Sequence, residues 1–186
     1  MNVLLAFAPF LVFVVLERVA GVEPGLLGAA ATALGFLLRD LLLRKQTPKV
    51  LEVGTVVLFG GLACYGALAG ADWSTAGVRL AVDAGLLAIV LVSLVIRRPF
   101  TLQYARESVP RAVWDEPGFV RTNTTITAAW ALAFAAMVAV DFAWLVRPDL
   151  PPRVVVVVTL VALVGAARFT GWYPERARTA ASSALP

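Results

Sequence analysis

The chain has no histidine, one cysteine and few charges: only 15% of its 186 residues are Asp, Glu, Lys or Arg. Without an imidazole there is no His ligand for haem, zinc or a di-iron centre and no His general base. The lone Cys64 lies in an apolar run, which excludes an internal disulfide framework and a thiolate metal site. A Ser/His/Asp arrangement, a DDxxD pair, a Gly-rich phosphate loop and a haem motif are all missing, so the sequence assigns no catalytic residue, no metal ligand and no cofactor. The sixteen Lys and Arg are spread along the chain and form no patch, which leaves nucleic-acid binding without support.

What fills the chain instead is apolar. Sixty per cent of the residues are hydrophobic and the mean hydropathy is +0.85, far from the average of soluble domains. The bilayer is therefore the expected first partner. The length accommodates about six helices of about 20 residues, hence one bundle with no second domain. The runs lie at Met1 to about Ala20, Pro24 to about Lys45, about Val50 to Gly70, about Gly77 to Ile96, about Thr122 to Val146, and Pro151 to about Trp172. The first carries Pro9, which predicts a kink; with no Lys or Arg before it and no small-residue cleavage site after it, it reads as a retained helix. Gly28, Ala31 and Gly35 in the second run, and Gly66 with Gly70 in the third, offer small-residue faces for close helix packing.

Counting cations orients the chain. Twelve Lys and Arg fall in the even connections and the C-terminus, against four (Arg18, Arg79, Arg147, Arg153) on the other side. The positive-inside bias makes the twelve cytoplasmic, with both termini inside. A basic residue and then a proline closes three apolar pairs, at Pro48, Pro99 and Pro174. The expected fold is thus all-α: a polytopic membrane protein of six transmembrane helices in three hairpins over residues 1–174, with a cytoplasmic interfacial segment at 97–121. A disordered cytoplasmic tail is expected over 175–186, which has no apolar period. Fourteen of the sixteen cations are Arg, which with the Ala, Val and Gly richness suggests a high-GC bacterial genome.

The interfacial segment, RRPFTLQYARESVPRAVWDEPGFVR, is the one long stretch that is neither apolar nor featureless. It holds five cations, three prolines and two aromatic clusters, around Phe100/Tyr104 and Val113/Trp114. It reads either as a contact surface, built from Arg97, Arg98, Gln103, Tyr104, Arg106, Glu107 and Trp114 with rings in the headgroup layer, or as a solvated connection.

Intramembrane carboxylates are costly and so are functional suspects. Asp83 and Asp141 lie at similar depth in their spans and could share one polar cavity. Asp83 is near a helix N-terminus with Arg79 one turn away, whereas Asp141 is near a C-terminus, where the helix dipole disfavours it. In the fifth run Asn123, Thr127, Trp130, Phe134, Met137 and Asp141 recur at spacings of four and three, so they share one face. That face lines a groove or pore, with Asp83, Asn123, Thr127, Trp130 and Asp141 as the ligand or transport path, or it is the ordinary inward face of a bundle helix. Arg39 and Asp40 read as residues that snorkel at the interface, as do Glu17 and Arg18. An embedded enzyme would have to work with Asp83, Asp141, Tyr104 or Glu107, and nothing brings two of these together.

The opening LLAFAPFLVFVV, the LFGGL at Leu58 to Leu62, the RRP at Arg97 to Pro99, Trp114, and the AW at Ala129–Trp130 followed by Phe134 resemble the intracellular septation protein A family of bacterial inner-membrane proteins. The likeness covers about residues 5 to 174. It implies a multi-pass protein that maintains the cell envelope or takes part in septation as a scaffold, with other envelope or divisome membrane proteins as partners and no catalytic residues to transfer. The alternative reading of the residues is a small transporter or lipid-handling protein using Asp83, Asp141 and the fifth-run face.

Overall fold

The computed structural model describes residues 3–45, 47–70 and 73–182, with side chains described over 5–45, 47–70 and 73–177. Among the described residues every regular element is helical: α1 (Ala8–Ala20), α2 (Val22–Leu38), α3 (Val50–Ala69), α4 (Thr75–Val95), the short α5 (Phe100–Ala105), α6 (Pro117–Val146) and α7 (Pro152–Ser182). Five stretches are long and apolar enough to cross a membrane: Val22–Leu43, Val50–Ala69, Thr75–Val95, Pro117–Val146 and Pro152–Ala177. Their outer faces carry exposed large apolar side chains, such as Leu42, Leu68, Val95 and Val161. So much exposed apolar surface suits lipid and would drive association in water. The chain divides into two compact units, residues 1–89 and 90–186.

The first apolar run departs from the simple span. Its opening residues, Val3–Phe7, form a 3₁₀ turn, and Pro9 falls in the first turn of α1, not in mid-helix. Proline is well tolerated in a first turn, and the 3₁₀ turn gives way to α-helix at this point. Only Gly21 separates α1 from α2, at φ +100°, a conformation that side-chain-bearing residues rarely adopt. The chain reverses at once, and a Cβ on Gly25 would stand 3.1 Å from the Glu17 backbone nitrogen.

Of the small-residue face expected on α2, Gly28 alone packs closely, under Leu16; Ala31 is exposed, and a Cβ on Gly35 would meet nothing. The buried face is instead Gly25, Leu26, Ala29 and Ala33. The Gly66/Gly70 pair also serves otherwise, since Gly66 lies against Trp73 and Gly70 ends α3 in the left-handed conformation. Gly54 and Gly85 receive the larger side chains, Ile89 over Gly54 and Leu58 over Gly85, which sets α3 and α4 antiparallel. The core of this unit gathers Phe13, Leu26, Ala29, Phe59, Ala63, Val78 and Val82, with Phe10 and Phe13 tilted against Phe59 at 5.0 and 5.7 Å.

Gly25→Val should lower stability by about 2 kcal/mol, because its branches meet α1 backbone that cannot rotate aside. Gly60→Ala, in open space on α3, should be neutral or slightly stabilising. Equal denaturation midpoints for the two variants would sink this account of the α1/α2 contact.

In the second unit, α6 and α7 run about 45 Å each, longer than the bilayer core of about 30 Å. Pro117 occupies the first turn of α6, so the helix starts five residues before the expected span. At the other end α7 passes through Pro174 and continues to Ser182. Residues 175–182, expected as disordered tail, are therefore helical, and 183–186 lie outside the described residues. Trp130, Phe134 and Phe100 centre this unit's core, with Trp130 5.5 Å from Phe134 and 6.4 Å from Phe100.

Candidate functional site

The polar segment after α4 is built by a sharp helix end. Arg97 takes φ +56°, and the Arg97 and Arg98 N–H groups donate back to the carbonyls of Leu94 and Ser93. This left-handed stop satisfies carbonyls the helix leaves open. The buried Ser93 hydroxyl donates to the Val90 carbonyl and accepts from the Phe100 N–H, tying α5 to the end of α4. Pro99 then starts α5, in which Phe100, Thr101, Leu102 and Tyr104 are all buried. The rings of Phe100 and Tyr104 are thus buried inside the protein.

The rest of the segment folds on itself around Trp114. The indole N–H donates to the carbonyls of Arg106 and Val109, at 3.1 and 3.3 Å. Arg106 lies over the ring at 5.4 Å, donates to the Trp114 carbonyl and pairs with Asp115 at 3.1 Å; Arg111 stands 5.6 Å from the same ring. Gln103 is turned back onto the Arg98 carbonyl. Of the residues expected at a contact surface, Arg97, Arg98 and Glu107 are exposed, Gln103, Arg106 and Trp114 are half-buried, and Tyr104 is buried. The result is an ordered basic platform, held by cation–π contacts and charge-assisted hydrogen bonds.

The stripe on α6 faces inward along its whole length. Asn123, Thr127, Trp130, Phe134, Met137 and Asp141 are each at most 5% exposed. The stripe's first half serves packing between helices: the Thr101 hydroxyl donates to the Asn123 carbonyl at 2.8 Å and meets the Thr127 hydroxyl at 2.7 Å. Trp130 donates to Thr170 of α7, which passes its own hydrogen to the Ala166 carbonyl. Thr101 and Thr170 complete this network, and neither was singled out in the sequence. Asp83, 8% exposed, belongs to the first unit, and the fully buried Asp141 to the second.

A further charged group was missed in the sequence. Where α2 ends, residues Arg39–Leu43 widen into a π-helical turn, with the Arg44 N–H reaching the Arg39 carbonyl. Asp40 does not snorkel there; it is buried. Its Oδ1 accepts from Arg39 at 3.0 Å and lies 3.7 Å from Arg44, while its Oδ2 is 3.4 Å from Lys49 Nζ. Lys49 also contacts Glu52 at 3.1 Å, and Glu52 reaches back to accept from the Lys49 N–H at the start of α3. Three cations and two carboxylates thus join α2 to α3. A buried cluster of this kind survives only because every charge has close counter-charge. The sequence signal for it was Asp40 inside a leucine run, followed by a Lys/Glu pair three apart.

Among the described residues no three His, Cys, Asp or Glu side chains gather as a metal site. No family model matches the chain, and no curated protein or solved structure does either.

Proposed function

We propose that the chain is a multi-pass scaffold of a bacterial inner membrane, which binds other membrane proteins through the basic platform at residues 97–121. One observation carries this reading. The platform is pre-ordered by internal bonds around Trp114, yet leaves Arg97, Arg98 and Arg111 facing outward. Pre-organisation lowers the entropic cost of capture, and exposed guanidiniums are suited to acidic partner surfaces. The inward burial of the α6 stripe further supports a scaffold over a transport path, because Thr127 and Trp130 at its centre hold α5 and α7.

Six spans remain the topology we favour. Together the 3₁₀ turn and α1 reach about 30 Å, the thickness of the hydrocarbon core, so a short first span completes an even number and both termini are cytoplasmic. Septation or envelope maintenance is the setting implied by the family resemblance.

Arg97→Gln/Arg98→Gln should cut site-specific crosslinking of the platform to neighbouring membrane proteins several-fold while the bundle's thermal stability is unchanged. In the same cells Asp141→Asn should support normal growth of a deletion strain. Crosslinking that survives the double substitution, or growth lost with Asp141→Asn, would point away from a scaffold and toward a proton-coupled path.

A further inference from the structure

The face of α6 beside its buried stripe forms, with α7, an open apolar groove of about 530 Å³. Ala129, Ala133 and Ala136 make one wall; Val161, Gly165 and Phe169 make much of the other. Small side chains hold the walls low, so the floor is nearly backbone. Resting on the membrane reading of the chain, we propose that this groove seats an acyl chain of an anionic phospholipid, whose headgroup is held by Arg121, Arg168 and Arg176.

Length selects the occupant. On α7 the groove runs from Val157 to Phe169, about 18 Å of helix, which is close to the depth of one leaflet. A helix of a second copy would need a seam along the full core of about 30 Å. A lipid tail needs only half, and the volume is in the range of small-molecule sites.

Charge selects the headgroup. Phe169 closes the groove and opens an aromatic cluster, stacked on Tyr173 at 4.9 Å and tilted to Trp172 at 6.1 Å. Arg176 lies over Trp172 at 5.1 Å. Arg168 is exposed one turn beyond Gly165, on the same side. The bond from Trp130 to Thr170 shows that α6 and α7 are antiparallel, so the start of α6 comes to this end. There Arg121, three turns before Leu132 of the groove, is exposed as well. Among the described residues no carboxylate pairs with Arg121, Arg168 or Arg176. An apolar slot that ends in aromatic rings and three exposed guanidiniums matches an amphiphile with a negative head.

The test uses the full chain in vesicles of equal parts phosphatidylglycerol and phosphatidylcholine with identical acyl chains. After gentle detergent extraction, the lipid retained per chain is read by native mass spectrometry. The native chain should keep phosphatidylglycerol over phosphatidylcholine by about tenfold, and Arg121→Gln/Arg168→Gln/Arg176→Gln should keep lipid but lose that preference. Gly165→Leu adds a side chain where a Cβ meets nothing within 4 Å, so the fold is spared while the slot fills, and retention of both lipids should drop. Undiminished lipid on Gly165→Leu, or equal retention of the two lipids by the native chain, overturns the proposal. So does a dimer that Gly165→Leu dissolves, since it hands the groove to a second copy. Release of the native chain from vesicles by alkaline carbonate would overturn the membrane reading itself, a result distinct from any change in lipid retention.

Discussion

Lys49→Met is expected to destabilise the protein by about 3–5 kcal/mol, the usual cost of removing one partner from a buried charge cluster. Methionine matches the length of the lysine stem, so packing is largely kept and the change isolates the ammonium. That group lies 3.4 Å from Asp40 Oδ2 and 3.1 Å from Glu52 Oε1, and all three side chains are at most 6% exposed. Its loss brings two buried carboxylates together with less cation between them. Glu52→Gln in the Lys49→Met background should recover more than half of the loss, because the excess negative charge falls. Arg44→Gln removes a cation that is 44% exposed and 3.7 Å away, and should cost no more than about 1 kcal/mol. Denaturation midpoints in mixed micelles rank these variants. A Lys49→Met protein within 1 kcal/mol of the native chain would show that the cluster is not what fastens α2 to α3.

Trp130→Ala should have a comparable effect, about 4 kcal/mol, through a cavity at the centre of the second unit. The indole is 2% exposed, touches the rings of Phe100 and Phe134, and donates 2.9 Å to Thr170. Two contributions can be separated. Trp130→Phe keeps most of the ring packing and removes the N–H, and should cost only about 1 kcal/mol, since hydrogen bonds between membrane helices average well below their expected worth in lipid. Tryptophan fluorescence is compromised by the substitution, so unfolding is followed by circular dichroism. If alanine proved as mild as phenylalanine, the core of this unit would have to lie elsewhere.

The α6 stripe illustrates what spacing alone can establish. Residues four and three apart must share a helix face, so the common direction of Asn123 through Asp141 follows from helical geometry. Whether that face meets a cavity, lipid or protein depends on its neighbours. Here the neighbours are Thr101, 26 positions before Thr127, and Thr170, 40 positions after Trp130. The same holds for α5: its aromatic residues signalled an apolar side, but only the turn at Arg97 aims that side inward.

Apolar runs of bilayer length by themselves determined that the chain is helical and suits a membrane, because an unsatisfied backbone is too costly in hydrocarbon for any other open structure; they suggested six spans, and the structure has five helices long and apolar enough to cross. Prolines and cations likewise marked most helix ends, through local chain geometry, although α7 runs on through Pro174. The tertiary structure alone decided that Asp40, Lys49 and Glu52 form one buried cluster, that Pro9 falls in the first turn of α1, and that a shallow groove lies beside the buried stripe. Each of these depends on which distant segments come into contact, and a periodic pattern records only the direction a residue faces, not what it meets there.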